Sequence, residues 1–283
     1  MTIDPTEFRD AQRTQWDKAA TGWDKWSGKF EETTDSISIR LNELAGVEAG
    51  SRVLDVAAGY GATSIVAGRI AGADGKVVST DISSEMLQFG RKHAANAGLD
   101  NIEFVEGAAA ALDFPEDSFD AAISRWGIIF DPDGEGAAAR IRSFLVEGGR
   151  FAISSWGPPE TVPFLSVPMR TVMDLFDVPP PPPDMPGPLS RPTHERIGGL
   201  LEGGGFADVE VEEAVLEMDY ESPEQFTTFV REIAPPISAL MAGQPPERQE
   251  EGWAAITDAI SSHAADDGTL RLSGLALMAS GRA

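Results

Sequence analysis

Arg52-Val53-Leu54-Asp55-Val56-Ala57-Ala58-Gly59-Tyr60-Gly61-Ala62-Thr63 is the stretch whose reading decides the fold. Val53 to Val56 is an apolar run of the kind a strand buried in a parallel sheet requires. A tight glycine turn ends it, and a helical pattern with Ile65, Val66 and Ile70 follows. Strand, glycine turn and helix together offer a ligand backbone N–H groups and a helix N-terminus. Gly59 and Gly61, having no Cβ, allow that ligand close to the backbone. A lone Gly-Xaa-Gly turn is as often a plain connection, so the reading depends on what surrounds it.

Working outward, strands and helices alternate. Lys76 to Thr80 reads as a second strand ending at Asp81, and a helix runs from Ser83-Ser84-Glu85 to about Ala97. Asn101 to Val105, Phe119 to Ser124 and Arg150 to Trp156 read as three further strands, with a helix from Glu135 to Leu145 stopped by Gly148-Gly149. After a helix over Thr193 to Leu201, Phe206 to Met218 and Leu270 to Met278 supply the last two strands. This alternation implies an α/β, doubly wound, mostly parallel sheet of seven strands. Ligands bind such a sheet at the carboxyl ends of its strands.

Three segments do not belong to that alternation. Trp16, Trp23 and Trp26 lie at spacings of seven and three, so they share one face of a helix over residues 6 to 30. That stripe either packs on the core or covers a ligand, with Trp23 nearest to it; Ile37 to Leu44 reads as a separate amphipathic helix. From Gly157 to Pro192 the chain carries a five-proline run, Pro179 to Pro183, and Thr171 to Phe176 as a short helix. Glu224 to Ala265 reads as helical, broken at Pro235-Pro236 and Pro245-Pro246. The expected organisation is one domain. Residues 1–45 are N-terminal lid helices, 46–157 a cofactor-binding core, 158–192 a proline-rich lid loop, 193–218 core, 219–266 a helical cap and 267–283 the last core strand.

The 283 residues hold 46 acidic and 22 basic side chains, a net charge of −24. A field of that sign repels nucleic-acid phosphates and anionic membranes, so neither is an expected partner. No apolar run is long enough to span a bilayer and the first ten residues are polar and acidic, which points to the cytoplasm. The absence of cysteine removes disulfides, thiolate zinc sites and cysteine nucleophiles; no metal is expected.

Asp81 stands at a strand end twenty residues after Gly61, where a carboxylate can accept both hydroxyls of a ribose. With it, the chain resembles class I S-adenosylmethionine-dependent methyltransferases, in particular the small-molecule branch that includes ubiquinone and menaquinone biosynthesis methyltransferases. The stretches that carry the resemblance are Val53 to Gly61, Ser79-Thr80-Asp81-Ile82-Ser83, Phe114 to Asp120, Ser124-Arg125-Trp126-Gly127 with Phe130 to Asp133, and Glu147 to Arg150. Trp23-Asp24 sits where the family often has Tyr-Asp in its N-terminal lid.

The resemblance implies a Rossmann-like sheet with an antiparallel last strand and a cofactor, S-adenosyl-L-methionine, leaving as S-adenosyl-L-homocysteine. Asp55, Gly59 and Gly61 would line its methionine and ribose end, Asp81 would hold the ribose hydroxyls, and Ile82 would lie against adenine. Gly107, Ala108 and Ala109 would border the adenine edge, and Ser124 and Arg125 would lie near the methyl group; Trp23, Tyr60 and Met86 complete the set. Ala57 replaces the family's usual first glycine, which a turn tolerates where φ is negative. Ala108 stands where the family usually has an aspartate for the adenine N6 amine.

Methyl transfer from a sulfonium needs alignment and desolvation more than a catalytic triad. Of the three histidines, His93 reads as a surface residue, His263 has no evident partner, and His194, opening a helix after the proline-rich segment, is the candidate base. Trp126, Trp156, Phe164 and Met169 are the candidate contacts of a small apolar or aromatic acceptor. Rival readings of the same residues are a nicotinamide oxidoreductase, for which Thr63-Ser64 stands where a third glycine is normal, and a methyltransferase-like protein without turnover. Either a monomer or a homodimer is compatible with the sequence.

Overall fold

A computed structural model describes residues 4–182 and 185–283. Its centre is a seven-stranded sheet formed by β1 (Arg52–Val56), β2 (Lys76–Asp81), β3 (Ile102–Glu106), β4 (Phe119–Ser124), β5 (Leu145–Trp156), β6 (Ala207–Tyr220) and β7 (Leu270–Arg282). The order across the sheet is β3-β2-β1-β4-β5-β7-β6. The first five strands are parallel, and β7 is antiparallel to both β5 and β6. The doubly wound, mostly parallel sheet expected from the alternation is therefore the observed one.

Successive residues of a strand face opposite sides of the sheet, so each strand feeds two cores. Val53, Ala152, Ala276 and Met278 enter one, while Leu54, Val56, Phe151, Ile153 and Leu277 enter the other. The second core is closed by α4 (Gly134–Arg142) and α6 (His194–Gly203). The first lies beneath α1 (Pro5–Leu44), α5 (Pro163–Leu175), α7 (Pro223–Ile233), α8 (Pro235–Ala242) and α9 (Pro246–Ser261). α2 (Ala62–Ala71) and α3 (Ser84–Asn96) follow β1 and β2.

Three local expectations are corrected. Residues 6–30 and Ile37–Leu44 are one 40-residue helix, α1, whose far half is anchored by buried Thr34, Ile37, Ser38 and Leu41. The segment from 158 to 192 is not loop throughout: it carries the 13-residue α5, whose first turn holds Pro163, where its missing N–H costs nothing. Pro179 to Pro182 are exposed, and Pro183 lies outside the described residues. Gly148-Gly149 does not stop α4; it lies within β5, where the register against β4 shifts between Phe119 and Ala121.

α1 crosses α7 at Gly22. A Cβ there would collide with the backbone carbonyl of Glu232, the residue whose carboxylate also takes Lys25 Nζ at 2.7 Å and Trp26 Nε1 at 2.5 Å. Gly22→Ala gains about 1 kcal/mol of helix propensity but forces the two helices apart. Its expected net effect is a loss of about 1–2 kcal/mol, read as a lower urea midpoint. An unchanged midpoint would mean that α7 gives way freely.

Candidate active site

The glycine turn after β1 holds three left-handed residues, Ala57 (φ +54), Gly59 (φ +57) and Gly61 (φ +80). Ala57 thus does not have the negative φ its replacement of glycine calls for. An alanine in that region costs about 1–2 kcal/mol. The turn is over-determined around it: Ala58 N–H donates to the Thr80 carbonyl at 2.8 Å, and Gly127 leaves the room Ala57 needs. A Cβ at Gly127 would lie 2.5 Å from that of Ala57. Gly59 lines a cavity of about 270 Å³, and a Cβ built on it would meet nothing within 4 Å.

Asp81 ends β2 on the cavity wall. Its two oxygens accept from Gly59 N–H and Ser83 N–H, each at 2.8 Å, and each oxygen keeps a further lone-pair direction. Burial pushes Asp81 up to about 6, with the Asp17 charge adding and the backbone donors of Ser83, Gly59 and Ile82 opposing. Asp55 is placed differently from expectation. It lies wholly buried beneath the turn, accepts from Ser64 Oγ at 2.6 Å, and does not line the cavity. Burial pushes it up to about 7 from an ordinary 3.8, the Ser64 hydrogen bond and Arg125 opposing.

A carboxyl raised on folding contributes stability that is present below its unfolded value and lost as pH rises through the folded one. Asp55 therefore lowers the free protein's stability progressively as pH rises from about 4 to about 7. Asp55→Asn keeps an acceptor for Ser64 and is expected to flatten that decline, measured as the difference between urea midpoints at pH 5 and pH 8. An identical difference in both proteins would show that Asp55 does not titrate there.

Two more expected residues support the turn from outside the cavity. Gly61 packs against α3, a Cβ on it falling 3.4 Å from Gly90 Cα. Ser124 Oγ donates to the Val56 carbonyl at 2.8 Å and accepts Ile128 N–H at 2.9 Å. By contrast, Tyr60, Ile82, Met86, Gly107, Ala108 and Ala109 all line the cavity, as do Trp23 and Arg125.

Beyond the glycine turn the cavity becomes aromatic. Trp126 stacks on Trp156 at 4.2 Å between centroids, and Phe164 meets Trp156 edge-on. Met169 lines the same wall. Trp126 holds a left-handed φ of +53, with its N–H donating to Ser154 Oγ at 3.0 Å. α7 and α8 close this end with Phe229 and Ile237, while α9 packs behind α5 and α7. The exposed prolines of 179–182 do not line it; Pro188 and Leu189 do.

Arg125 binds α1 to this floor. Its guanidinium makes a two-pronged pair with Glu31, at 2.6 and 2.8 Å, and donates to Thr34 Oγ1 and Ser38 Oγ at 3.0 and 2.7 Å. The Tyr60 hydroxyl donates to the same Glu31 carboxylate. Burial pushes Glu31 up, but the Arg125 charge and hydrogen bonds and the Tyr60 hydroxyl outweigh it and hold the carboxyl below its ordinary value.

His194 is not part of this site. It opens α6 as an exposed residue paired with Glu213 of β6 at 2.8 Å, and it does not line the cavity. Glu31, Arg9, Gln12 and Asp131 were not foreseen. Only the seven-residue spacing of Trp16, Trp23 and Phe30, which all line the cavity, signals that this face of α1 covers something.

The strand order, the antiparallel β7 and the glycine turn facing an acidic strand end define a Rossmann-like methyltransferase fold. The sequence profile of the ubiE/COQ5 methyltransferase family matches residues 36–172, and the chain belongs to the methyltransferase family of that type. The ubiquinone/menaquinone biosynthesis C-methyltransferase UbiE of Hahella chejuensis is 35% identical over 153 residues, 51% of this chain and 61% of that protein. The aklanonic acid methyltransferase DauC of a Streptomyces species is 32% identical over 159 residues, 53% of this chain and 71% of that protein. The chain thus spans about three fifths of the first of these relatives. The structure of YcgJ from Bacillus subtilis superposes with a TM-score of 0.57 at 19% identity, over 87% of this chain and 98% of that one. No helix among the described residues is long and apolar enough to cross a membrane.

Proposed function

We propose that this protein is an S-adenosylmethionine-dependent methyltransferase acting on a small apolar or aromatic acceptor. The observation that carries the reading is one continuous cavity. At one end it has the open glycine turn and Asp81, and at the other the Trp126–Trp156–Phe164 chamber. The residues fit the cofactor: Gly59 leaves a cradle that a side chain would fill, and the spare lone pairs of Asp81 suit two ribose hydroxyls. Bound there, S-adenosylmethionine supplies an activated methyl carbon.

The chain's own contribution is alignment and exclusion of water. Stacked indoles orient a planar acceptor. α1, α5, α7 and α8 wall the chamber with apolar side chains, so a nucleophile entering it sheds its hydration. Glu31 is held ionised by Arg125 rather than poised near neutrality, and Asp55, raised to about 7, lies outside the cavity. The reaction therefore leans on positioning. A small-molecule acceptor, the cofactor pair and the cytoplasm remain this reading's partners and setting, with α1 and the 158–192 segment as the covering lid.

The test is a panel of phenolic, quinone-derived and aliphatic acceptors incubated with methyl-labelled S-adenosylmethionine, preceded by calorimetry with S-adenosylmethionine and S-adenosylhomocysteine. The expected result is micromolar binding of both nucleosides and label transfer to an aromatic member. Failure of both to bind below millimolar, with NAD binding instead, would overturn the assignment in favour of an oxidoreductase.

A further inference from the structure

The geometry points to Gln12 as the residue that reads the adenine amine, in the role left vacant by Ala108. This rests on the cofactor reading above. In a sheet ordered β3-β2-β1-β4, a nucleoside whose ribose sits on Asp81 at the end of β2 places its base toward the loop after β3. That loop, Gly107 to Ala109, lines the cavity without offering a side-chain acceptor.

The cover of this slot is the first half of α1. On one side Arg13 Nε donates to the Ile82 carbonyl at 3.2 Å and Asp17 accepts from Ser83 Oγ at 2.6 Å. On the other, Arg9 pairs with Asp131 at 2.9 Å and Trp16 meets Phe130 edge-on at 5.3 Å. Gln12 stands between Arg9 and Trp16 on the cavity-lining face, half-buried. Of the other polar walls of this end, Asp81 takes the ribose in the cofactor reading, and Asp131 Oδ1 already accepts from Arg9 and from Asp133 N–H. Among the described residues Gln12 has no side-chain hydrogen bond.

A carboxamide suits adenine better than the carboxylate it would replace. Its oxygen accepts from the N6 amine while its NH₂ donates to the neighbouring ring nitrogen, the two-point pairing by which Gln reads adenine elsewhere. It also adds no further negative charge to a chain already at −24. Because residues 1–35 lie outside the family match, this reader belongs to a part of the chain that the family profile does not describe.

The experiment compares S-adenosylhomocysteine with its analogue bearing unsubstituted purine, which lacks the amine, by calorimetry on wild type, Gln12→Leu and Asp131→Asn. Wild type is expected to prefer the adenine compound by roughly three- to tenfold, the yield of one or two hydrogen bonds. Gln12→Leu, which keeps the side chain's bulk and helix propensity, is expected to bind both compounds equally with an unchanged melting temperature. A wild-type preference surviving in Gln12→Leu overturns the proposal, and its loss only in Asp131→Asn transfers the role to Asp131. If wild type binds neither compound, the cofactor reading itself falls, a result distinct from either.

Discussion

Replacing Arg125 with alanine is expected to lower the unfolding free energy by about 3–5 kcal/mol, the range for breaking a buried ion pair from one side. The Arg125 side chain is 8% exposed and that of Glu31 24%, so the pair is little screened by solvent. Removing the guanidinium strands the Glu31 carboxylate with only the Tyr60 hydroxyl, and leaves Thr34 Oγ1 and Ser38 Oγ without their donor. The Arg125→Ala/Glu31→Gln double variant is expected to recover part of the loss, because it removes the orphaned charge. Urea midpoints of the four proteins complete the cycle. A single-variant loss below 1 kcal/mol would show that water reaches the pair. The same bond ties α1 to the strand ends, so hydrogen exchange in residues 10–30 should quicken in Arg125→Ala.

Asp81→Ala is expected to weaken S-adenosylhomocysteine binding by about 1–3 kcal/mol, or about 5- to 150-fold, since in the proposed pose both ribose hydroxyls would lose a charged acceptor in a buried place. Burial raises Asp81 to about 6 in the free protein, and hydroxyl donors favour the ionised form. Wild-type affinity should therefore fall as pH drops below about 6, and that fall should vanish in Asp81→Ala. Calorimetry at pH 5 and pH 8 decides it. Equal affinity of a folded variant at both pH values and in the wild type would remove Asp81 from the site.

Much of the frame was legible because it follows from local pattern. Apolar runs for buried strands, a turn that glycine must make, and an acidic residue at the next strand end are all properties of a few adjacent residues, and they located Gly59, Asp81 and Ile82 on the cavity wall. The helix boundaries failed where side chains outvoted propensity. Glu31-Glu32-Thr33-Thr34-Asp35-Ser36 reads as a break, yet Thr34 Oγ1 bonds back to the Phe30 carbonyl at 2.9 Å and Glu31 is neutralised by Arg125, 94 residues away. Pro163 likewise reads as a loop residue until it is seen opening α5.

The sequence by itself determined the doubly wound sheet and its strand count, and its resemblance to a family supplied the antiparallel last strand. It also named Trp126, Trp156, Phe164 and Met169, which line one cavity. Only the tertiary structure decided which of the expected residues touch the cavity. It set Asp55, Gly61 and Ser124 behind the wall and His194 on an exposed ion pair, brought Gln12 and Asp131 to the cavity wall, and paired Glu31 with Arg125. The physical reason is that a polar side chain's role depends on partners brought near by folding. Hydrogen bonds and ion pairs between residues roughly 70 to 120 positions apart leave no periodicity in the chain that makes them.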